Sequence, residues 1–209
     1  MPVKTFRSYR SPQRDEQANA TRHEILRAAE RLFVRDGYGA VTMKAIAGEA
    51  GVAPATLYLH FEGKAAMVRA LADEIVAAPD LSVERVEAPA GVAERFLTGA
   101  RIIRLLNARS WVVVEILRAW RGTDSALDAL WEDWKRRHLE AVRRGVEALA
   151  ASGQLRTGLT TEKATDILYA LLGVDVFRAL VRERGWSPDA YEAWLMACAR
   201  NELLDPQLA

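Results

Sequence analysis

VTMKAIAGEAGVAPATLYLHF, residues 41–61, is the stretch of sequence that decides the fold. It contains two short amphipathic segments, 43–50 and 54–61, separated by a tight turn at Gly51. Glycine suits that turn because a positive φ carries no Cβ penalty. The small and apolar side chains fall where two crossing helices must bury each other: Ile46, Ala47, Ala50, Val52, Leu57 and Phe61. The pattern predicts a helix-turn-helix.

The second segment has an outward face of an unusual kind. Pro54 fits the first turn of a helix, and no charged residue occurs between 52 and 61. A face carrying Thr, Tyr and His without charge suits a DNA groove, where hydroxyls meet phosphates or base edges and small apolar groups meet thymine methyls. Thr42 is predicted to cap the first segment. Lys64 opens the next helix, where a cation costs about 0.3–1 kcal/mol that a nearby phosphate would offset.

This segment resembles the DNA-binding domain of the TetR family over about residues 21–68. The likeness rests on a Gly-Tyr turn after the first helix, Thr before the second, Ala-Gly-Val at the turn, and Thr-x-Tyr-x-His-Phe followed by Gly-Lys. It implies an all-α, TetR-like fold, with a three-helix head and a helical body that binds a ligand and dimerises. It implies a DNA-facing surface formed by Thr42, Lys44, Thr56, Tyr58, His60 and Lys64. Residues Ala53, Pro54 and Ala55 would face the bases.

Two positions depart from the family pattern. Ala53 stands where many members have Ser or Thr, so the third helix lacks a side-chain cap worth about 1 kcal/mol. Gly63-Lys64-Ala65 replaces the more common Ser-Lys-Glu. With Ala53 at the base-reading end, direct readout is expected to be weak, and sequence preference would depend on the N-terminal arm and on DNA shape.

The residues before the motif divide into an arm and a first helix. Residues 1–20 are predicted to be a disordered basic arm, because they are polar and carry Lys4, Arg7, Arg10 and Arg14. Two interpretations stay open: a solvated tail, or an arm that follows phosphates or enters a minor groove. A helix is predicted from Thr21, which has capping-box spacing. The DNA-binding domain then spans 21–68 and the ligand-binding and dimerisation domain 69–209.

The rest of the chain shows helical periodicity without any sustained two-residue alternation. The periodic segments end at glycine and proline residues, and they predict helices over 64–78, 90–107, 109–121, 124–152, 161–184 and 188–204. Pro79 and Pro89 bracket a predicted loop.

The stretch 168–203 is similar to the last two helices of one branch of TetR regulators, which implies that they pair with a second subunit. The predicted dimer residues combine small and apolar side chains: Leu172, Gly173, Val176, Leu180, Trp194 and Leu195. The alternative is that these residues only close the core of one chain.

The middle helices hold most of the tryptophans. Trp131 and Trp134 are three residues apart, and His138 follows four residues later, which places them on one helix face. An aromatic wall with a few polar groups suits a small apolar or aromatic effector. The candidate ligand-binding residues are Arg104, Trp111, Glu115, Trp120, Trp131, Trp134 and His138. The alternative is ordinary core, and the expectation of a cavity rests mainly on the family resemblance.

Composition narrows the function further. Formal net charge is +1, but residues 1–64 hold ten Lys and Arg against seven Asp and Glu, and the rest nineteen against twenty-one. A basic head on a slightly acidic body suits contact with phosphates at one end. No apolar leader or membrane span is predicted, so we expect a cytoplasmic protein without a membrane partner. Cys198, the only cysteine, is expected to be buried and inert.

No catalytic or metal-binding motif is recognisable, so no enzyme activity and no cofactor are predicted. The three histidines, His23, His60 and His138, are far apart in sequence. The first hypothesis is a homodimeric repressor on palindromic operator DNA, released when an effector moves the helix over 64–78 and separates the two heads. The alternative is a helical binding protein or enzyme for an apolar molecule that never binds DNA. Salt-dependent duplex affinity distinguishes the two.

Overall fold

The computed structural model describes the backbone of residues 12–78, 81 and 92–205, with side chains described for 15–78, 81 and 99–205. The all-α prediction is confirmed within that part of the chain, where a single antiparallel bridge, Leu155 with Leu204, is the only β pairing. The helices are α1 Pro12–Asp36, α2 Met43–Glu49, α3 Pro54–His60, α4 Lys64–Ala77, α5 Val92–Ala119, α6 Ser125–Ala151, α7 Thr161–Leu172, α8 Val174–Phe177 and α9 Pro188–Leu203. A π-helical segment, Arg178–Glu183, continues from α8. No described helix is long and apolar enough to cross a membrane.

The chain divides into two compact units between Leu71 and Ala72, here called the head (up to Leu71) and the body (from Ala72). In the head, Ile25 and Leu32 of α1 are buried, and so are Ile46, Leu57 and Phe61 of the helix-turn-helix. Gly51 has a φ of +67°, and the N–H of Val52 donates to the Ala47 carbonyl oxygen at 3.0 Å. The predicted helix-turn-helix is therefore confirmed, with the turn made by the glycine that the sequence indicated.

The first helix begins earlier than predicted. Residues 12–20 are helical, so the disordered arm predicted over 1–20 is wrong for these residues, while residues 1–11 lie outside the described part. The prediction failed because residues 15–20 are all exposed and lack the apolar periodicity of a buried helix. Pro12 and Asp15 nevertheless suit a first helical turn. Thr21 is not a cap, since its hydroxyl donates to the Gln17 carbonyl oxygen one turn earlier, at 2.9 Å.

The body differs from prediction at two helix boundaries. The helices predicted over 90–107 and 109–121 form one helix, α5, because no glycine or proline interrupts the chain between 101 and 119. The single helix predicted over 161–184 breaks at Gly173, whose ψ of 143° is extended. The remaining predicted helices are confirmed within two residues.

Two apolar clusters hold the body together. One joins α6, α7 and α9 through Val146, Leu168 and Leu203. The other joins α5, the end of α8 and α9 through Ala100, Phe177 and Tyr191. Removing such apolar surface from water is worth about 25 cal/mol per Å², so these clusters fix the helices that enclose the cavity described below.

Candidate nucleic-acid interface and ligand cavity

The two short helices of the head present a solvent-facing surface opposite their buried contacts. Leu57 faces the core of the head and is fully buried. Pro54, Ala55, Tyr58 and Leu59 are exposed, and at 100° per residue they cover an arc of about 140° on the other side of α3. The exposed face is apolar and aromatic without charge. Such a face can contact thymine methyls and base edges in a DNA groove.

Thr42 and Lys44 present polar groups at the start of α2. Thr42 is the predicted N-cap, and its hydroxyl oxygen accepts the Ala45 N–H at 3.1 Å. That bond uses only a lone pair, so the hydroxyl proton stays available to donate to a phosphate oxygen. Lys44 is exposed, and none of the ion pairs among the described residues includes it. Both side chains can therefore contact a phosphate without breaking an internal bond that the structure shows.

Three predicted residues of the head are half-buried rather than open. Thr56, His60 and Lys64 each keep part of the side chain covered. The Lys64 ammonium donates to the Tyr38 carbonyl oxygen at 2.6 Å and lies 4.4 Å from the centre of the Tyr38 ring. Burial lowers the pKa of Lys64. The Tyr38 carbonyl oxygen and ring thus offset the unfavourable interaction between the Lys64 cation and the helix dipole. The sequence had predicted that a phosphate would do so.

Ala53 leaves α3 without a side-chain cap, as expected from the sequence. It is exposed, with Pro54 and Ala55 beside it. These three residues offer methyl and ring carbons but no side-chain donor or acceptor. This end of α3 can therefore contact apolar groups of a partner but cannot form side-chain hydrogen bonds to it.

Sequence reasoning missed two residues of this region. Leu59 is 85% exposed, an unusual degree for leucine, and only the absence of charge from α3 hinted at it. The guanidinium carbon of Arg22 lies 4.4 Å from the centre of the Phe61 ring, and its Nη1 is buried without a hydrogen-bond partner among the described residues. No local sequence signal could show this pairing, because Arg22 and Phe61 are far apart in sequence and meet only in the folded head.

The body contains a cavity of about 810 Å³, within the range of small-molecule sites. Its wall is mainly apolar and draws on α4, α5, α6, α7 and α9, with Val76, Leu106, Trp134, Tyr169 and Met196 as examples. Gly173, at the break after α7, also lines it. The Leu172 carbonyl oxygen accepts a hydrogen bond of 3.3 Å from the Asn107 side chain. The helix break thus helps to shape the wall.

Three of the seven predicted ligand residues line this cavity: Trp131, Trp134 and His138. The other four do not line it. Arg104 pairs with Glu192 at 2.6 Å, Arg182 lies over the Trp111 ring at 4.3 Å, and Glu115 is 3.9 Å from Arg178. The fourth, Trp120, is half-buried at the end of α5. Periodicity identified the correct face of α6 but could not show which face of α5 the cavity meets.

The predicted dimer residues divide into core and surface. Leu195 is fully buried within one chain and lines the cavity, so its assignment to an interface is wrong. Leu172 and Gly173 also line the cavity. Val176, Leu180 and Trp194 are half-buried beside the second apolar cluster. Trp186, which was not in the predicted set, is 37% exposed and contacts Trp194 edge to face at 6.1 Å.

The reactive side chains of the described residues do not meet the requirements of a metal site. No group of three or more His, Cys, Asp or Glu there could hold a metal ion. Cys198 is half-buried rather than fully buried, and desolvation raises the pKa of its thiol.

Comparison with known proteins agrees with this architecture. Residues 25–71 match the family described as bacterial regulatory proteins, tetR family. The chain is 35% identical over 108 residues to the HTH-type transcriptional regulator TtgR of Pseudomonas putida. That match covers 49% of this chain and 51% of TtgR, so the chain spans about half the length of this relative.

Solved structures match over nearly the whole chain. A putative transcriptional regulator from Saccharomonospora viridis, in complex with choline, has a TM-score of 0.73 at 23% identity and covers 90% of this chain and 99% of its own. NalD of Pseudomonas aeruginosa, the secondary repressor of the MexAB-OprM multidrug efflux pump, has a TM-score of 0.68 at 22% identity and covers 90% and 99%. At these identities the structural likeness shows the shared fold.

Proposed function

We propose that the chain is a homodimeric repressor of the tetR family that binds palindromic operator DNA and is released by a small effector, because residues 25–71 match that family of bacterial regulatory proteins. Its place of action is then the cytoplasm, where the DNA is. The observation that carries the proposal is the exposed, charge-free face of α3 opposite the buried Leu57. A soluble helix that never met another surface would gain nothing from an 85% exposed leucine beside a 57% exposed tyrosine.

DNA binding would use two kinds of contact. Thr42, Lys44 and Tyr58 would donate to phosphates, which supplies affinity without sequence information. The exposed residues 53–55 and Leu59 would lie against base edges, where apolar groups favour thymine methyls. Thr56, His60 and Lys64 would contribute at the edge of this surface. Weak direct readout then gives DNA shape a larger part in operator choice.

Dimerisation would bring two heads to one operator. Val176, Leu180 and Trp194 keep part of their surface uncovered in one chain, and Trp186 extends this apolar area. Pairing through a two-fold axis would match the symmetry of a palindrome, with half-sites about 10 base pairs apart or a multiple of that spacing.

Effector release would act through the cavity of the body. Its size and apolar wall suit one small molecule, and the related fold from S. viridis is described as a complex with choline. Ala72 and Val76, in the second half of α4, belong to the wall, so an occupant would contact this helix. The effector must bind the released state better than the DNA-bound state, typically by about 1–3 kcal/mol.

Selection of bound sequences from a random duplex pool, followed by footprinting, tests the proposal. The expected result is a palindrome protected by two chains. The Tyr58→Ala variant should select poorly while keeping the helical circular dichroism and melting temperature of the parent chain. Enrichment of no sequence, or of an asymmetric site bound by one chain, would contradict the proposal.

A further inference from the structure

Two buried polar atoms of α6 lack a hydrogen-bond partner among the described residues, and both belong to side chains that line the cavity. They are Nε2 of His138 and Nε1 of Trp131. A buried polar atom left unpaired costs about 1–3 kcal/mol, so each such atom in a folded protein calls for an explanation. A molecule bound in the cavity would supply the missing partners.

The chemistry of His138 specifies what it needs. Its ring lies 5.0 Å from the Tyr169 ring. Burial lowers its pKa, which keeps the ring neutral at neutral pH, while the Tyr169 backbone acts on the pKa in the opposite direction. A backbone group that favours the protonated ring is a carbonyl oxygen that faces a ring N–H. Because Nε2 is the ring nitrogen that is buried without a partner, we assign the ring proton to Nδ1, and Nε2 of the neutral ring is then an acceptor. It requires an O–H or N–H from an occupant.

Trp131 requires the opposite group. Its indole Nε1–H can only donate. Trp131 precedes His138 by seven residues on α6, so the two side chains lie on the same side of the helix with their Cα atoms about 10 Å apart. An elongated occupant aligned with α6 can meet both atoms, accepting from Trp131 and donating to His138.

The charged residues in the cavity wall do not call for an ionic partner. Asp133 pairs with Arg137 at 2.7 Å, Lys135 with Glu132 at 2.8 Å, and Asp175 with Arg118 at 2.6 Å. The remaining charged residue in the wall, Asp73, is exposed to solvent. A charged occupant would lose hydration without gaining a buried counter-ion, which disfavours it strongly.

We infer that the cavity binds an uncharged, mainly apolar molecule bearing a hydroxyl group that donates to His138 Nε2, with an acceptor for Trp131 Nε1. Phenols and apolar alcohols are the chemical class with these properties. Neither ring nitrogen reaches solvent in this structure, so this assignment requires the neighbouring side chains to change rotamer when the hydroxyl binds. This inference rests on the proposed role of the cavity as an effector site and names the kind of effector.

Equilibrium dialysis of the full chain against three probes of similar shape tests the inference. The probes are 2-naphthol, 2-fluoronaphthalene, which has no donor, and 2-naphthoate, which is charged at neutral pH. We expect 2-naphthol to bind about tenfold more tightly than 2-fluoronaphthalene, the size of one hydrogen bond, and 2-naphthoate to bind most weakly. Equal affinity for the first two, tightest binding of the carboxylate, or no binding of any probe would overturn it.

The His138→Phe variant identifies the acceptor. It keeps an aromatic ring beside Tyr169 but removes Nε2, so the ratio of 2-naphthol to 2-fluoronaphthalene affinity should fall to near one. The Trp111→Phe variant is the control, since Trp111 lies outside the cavity wall, and it should keep the parent ratio. A ratio that persists in His138→Phe contradicts the assignment. If His138→Phe does not fold, the probe ranking of the parent chain still decides.

The same preparation should be tested for duplex binding. Duplex binding without the expected probe ranking overturns only this inference. The expected ranking without duplex binding overturns the repressor proposal and leaves the cavity chemistry standing.

Discussion

The head and the body of this chain differ in how far apart in sequence their contacting residues lie. In the head, the residues that determine the helix-turn-helix are close in sequence. A capping threonine, a turn glycine and a buried leucine lie within 16 residues. In the body, the contacts of Arg104 with Glu192 and of His138 with Tyr169 join residues far apart in sequence. The relative TtgR matches over about half of the chain, whereas solved structures match over about nine tenths at low identity.

The contrast between local and long-range contacts fits what we propose that each unit binds. A helix that reads DNA has to fit one double helix, whereas a cavity has to fit whatever molecule it binds. Substitutions that separate stability from binding can test this contrast in both units.

The largest effect should come from the matched leucines of α3. Leu57 is fully buried and Leu59 is 85% exposed. Leu57→Ala should lower the free energy of unfolding by about 2–5 kcal/mol, whereas Leu59→Ala should change it by less than about 0.5 kcal/mol. Urea denaturation followed by circular dichroism measures both.

At the exposed position, Leu59, a substitution should lower the affinity for duplex DNA although it leaves stability nearly unchanged. Leu59→Ala should weaken binding about tenfold, since burying an exposed leucine is worth about 1.5–3 kcal/mol. Leu139→Ala, at an exposed site of α6 in the body, is the control and should alter neither property. Equal duplex affinities for Leu59→Ala and Leu139→Ala would remove Leu59 from the interface.

The two capping threonines compare the units directly. Thr42 caps α2 in the head and Thr160 caps α7 in the body. Each change to alanine should cost about 1 kcal/mol of unfolding free energy, because one helix N–H loses its acceptor. Only Thr42→Ala should also weaken duplex binding, measured by fluorescence anisotropy. A similar loss of duplex affinity in Thr160→Ala would mean that stability alone explains the effect.

Adding a side-chain cap to α3 should raise the free energy of unfolding, by no more than the loss of a threonine cap lowers it. Ala53 has the extended backbone of a cap, with φ −65° and ψ 145°, but no side-chain acceptor. Ala53→Ser should stabilise the chain by about 0.5–1 kcal/mol and raise the melting temperature. An unchanged or lower melting temperature would show that the serine hydroxyl does not reach the free N–H groups of α3.

The same contrast between local and long-range contacts explains why the sequence predicts the head better than the body. The turn at Gly51, the cap at Thr42 and the buried face of α3 depend on neighbours within a few residues, so local patterns predict them. The start of α1 at Pro12 could not be predicted, because its first turns are exposed and carry no apolar signal. The face of α5 that meets the cavity depends on how α5, α6 and α9 pack. Arg104, Trp111 and Glu115 were consequently assigned to the cavity although they face other partners.

The smallest expected effect is a pH dependence that belongs to the body. Burial lowers the pKa of His138 below its ordinary 6.5 in the folded state. Between 6.5 and that lower pKa, the unfolded chain binds more protons, so unfolding becomes easier as the pH falls. The stability of the parent chain should therefore drop below about pH 6.5, and His138→Gln should drop less. Equal pH profiles in urea denaturation would contradict a buried neutral histidine.

The central proposal is that the head binds duplex DNA through its phosphates. Its most direct test is the affinity for a duplex measured as a function of salt concentration. The logarithm of the association constant should fall linearly with the logarithm of salt concentration, by about 0.9 per phosphate contacted. Lys44→Ala should reduce that slope by about one contact without lowering the melting temperature. Affinity that does not change with salt, or no affinity for any duplex, would contradict the account.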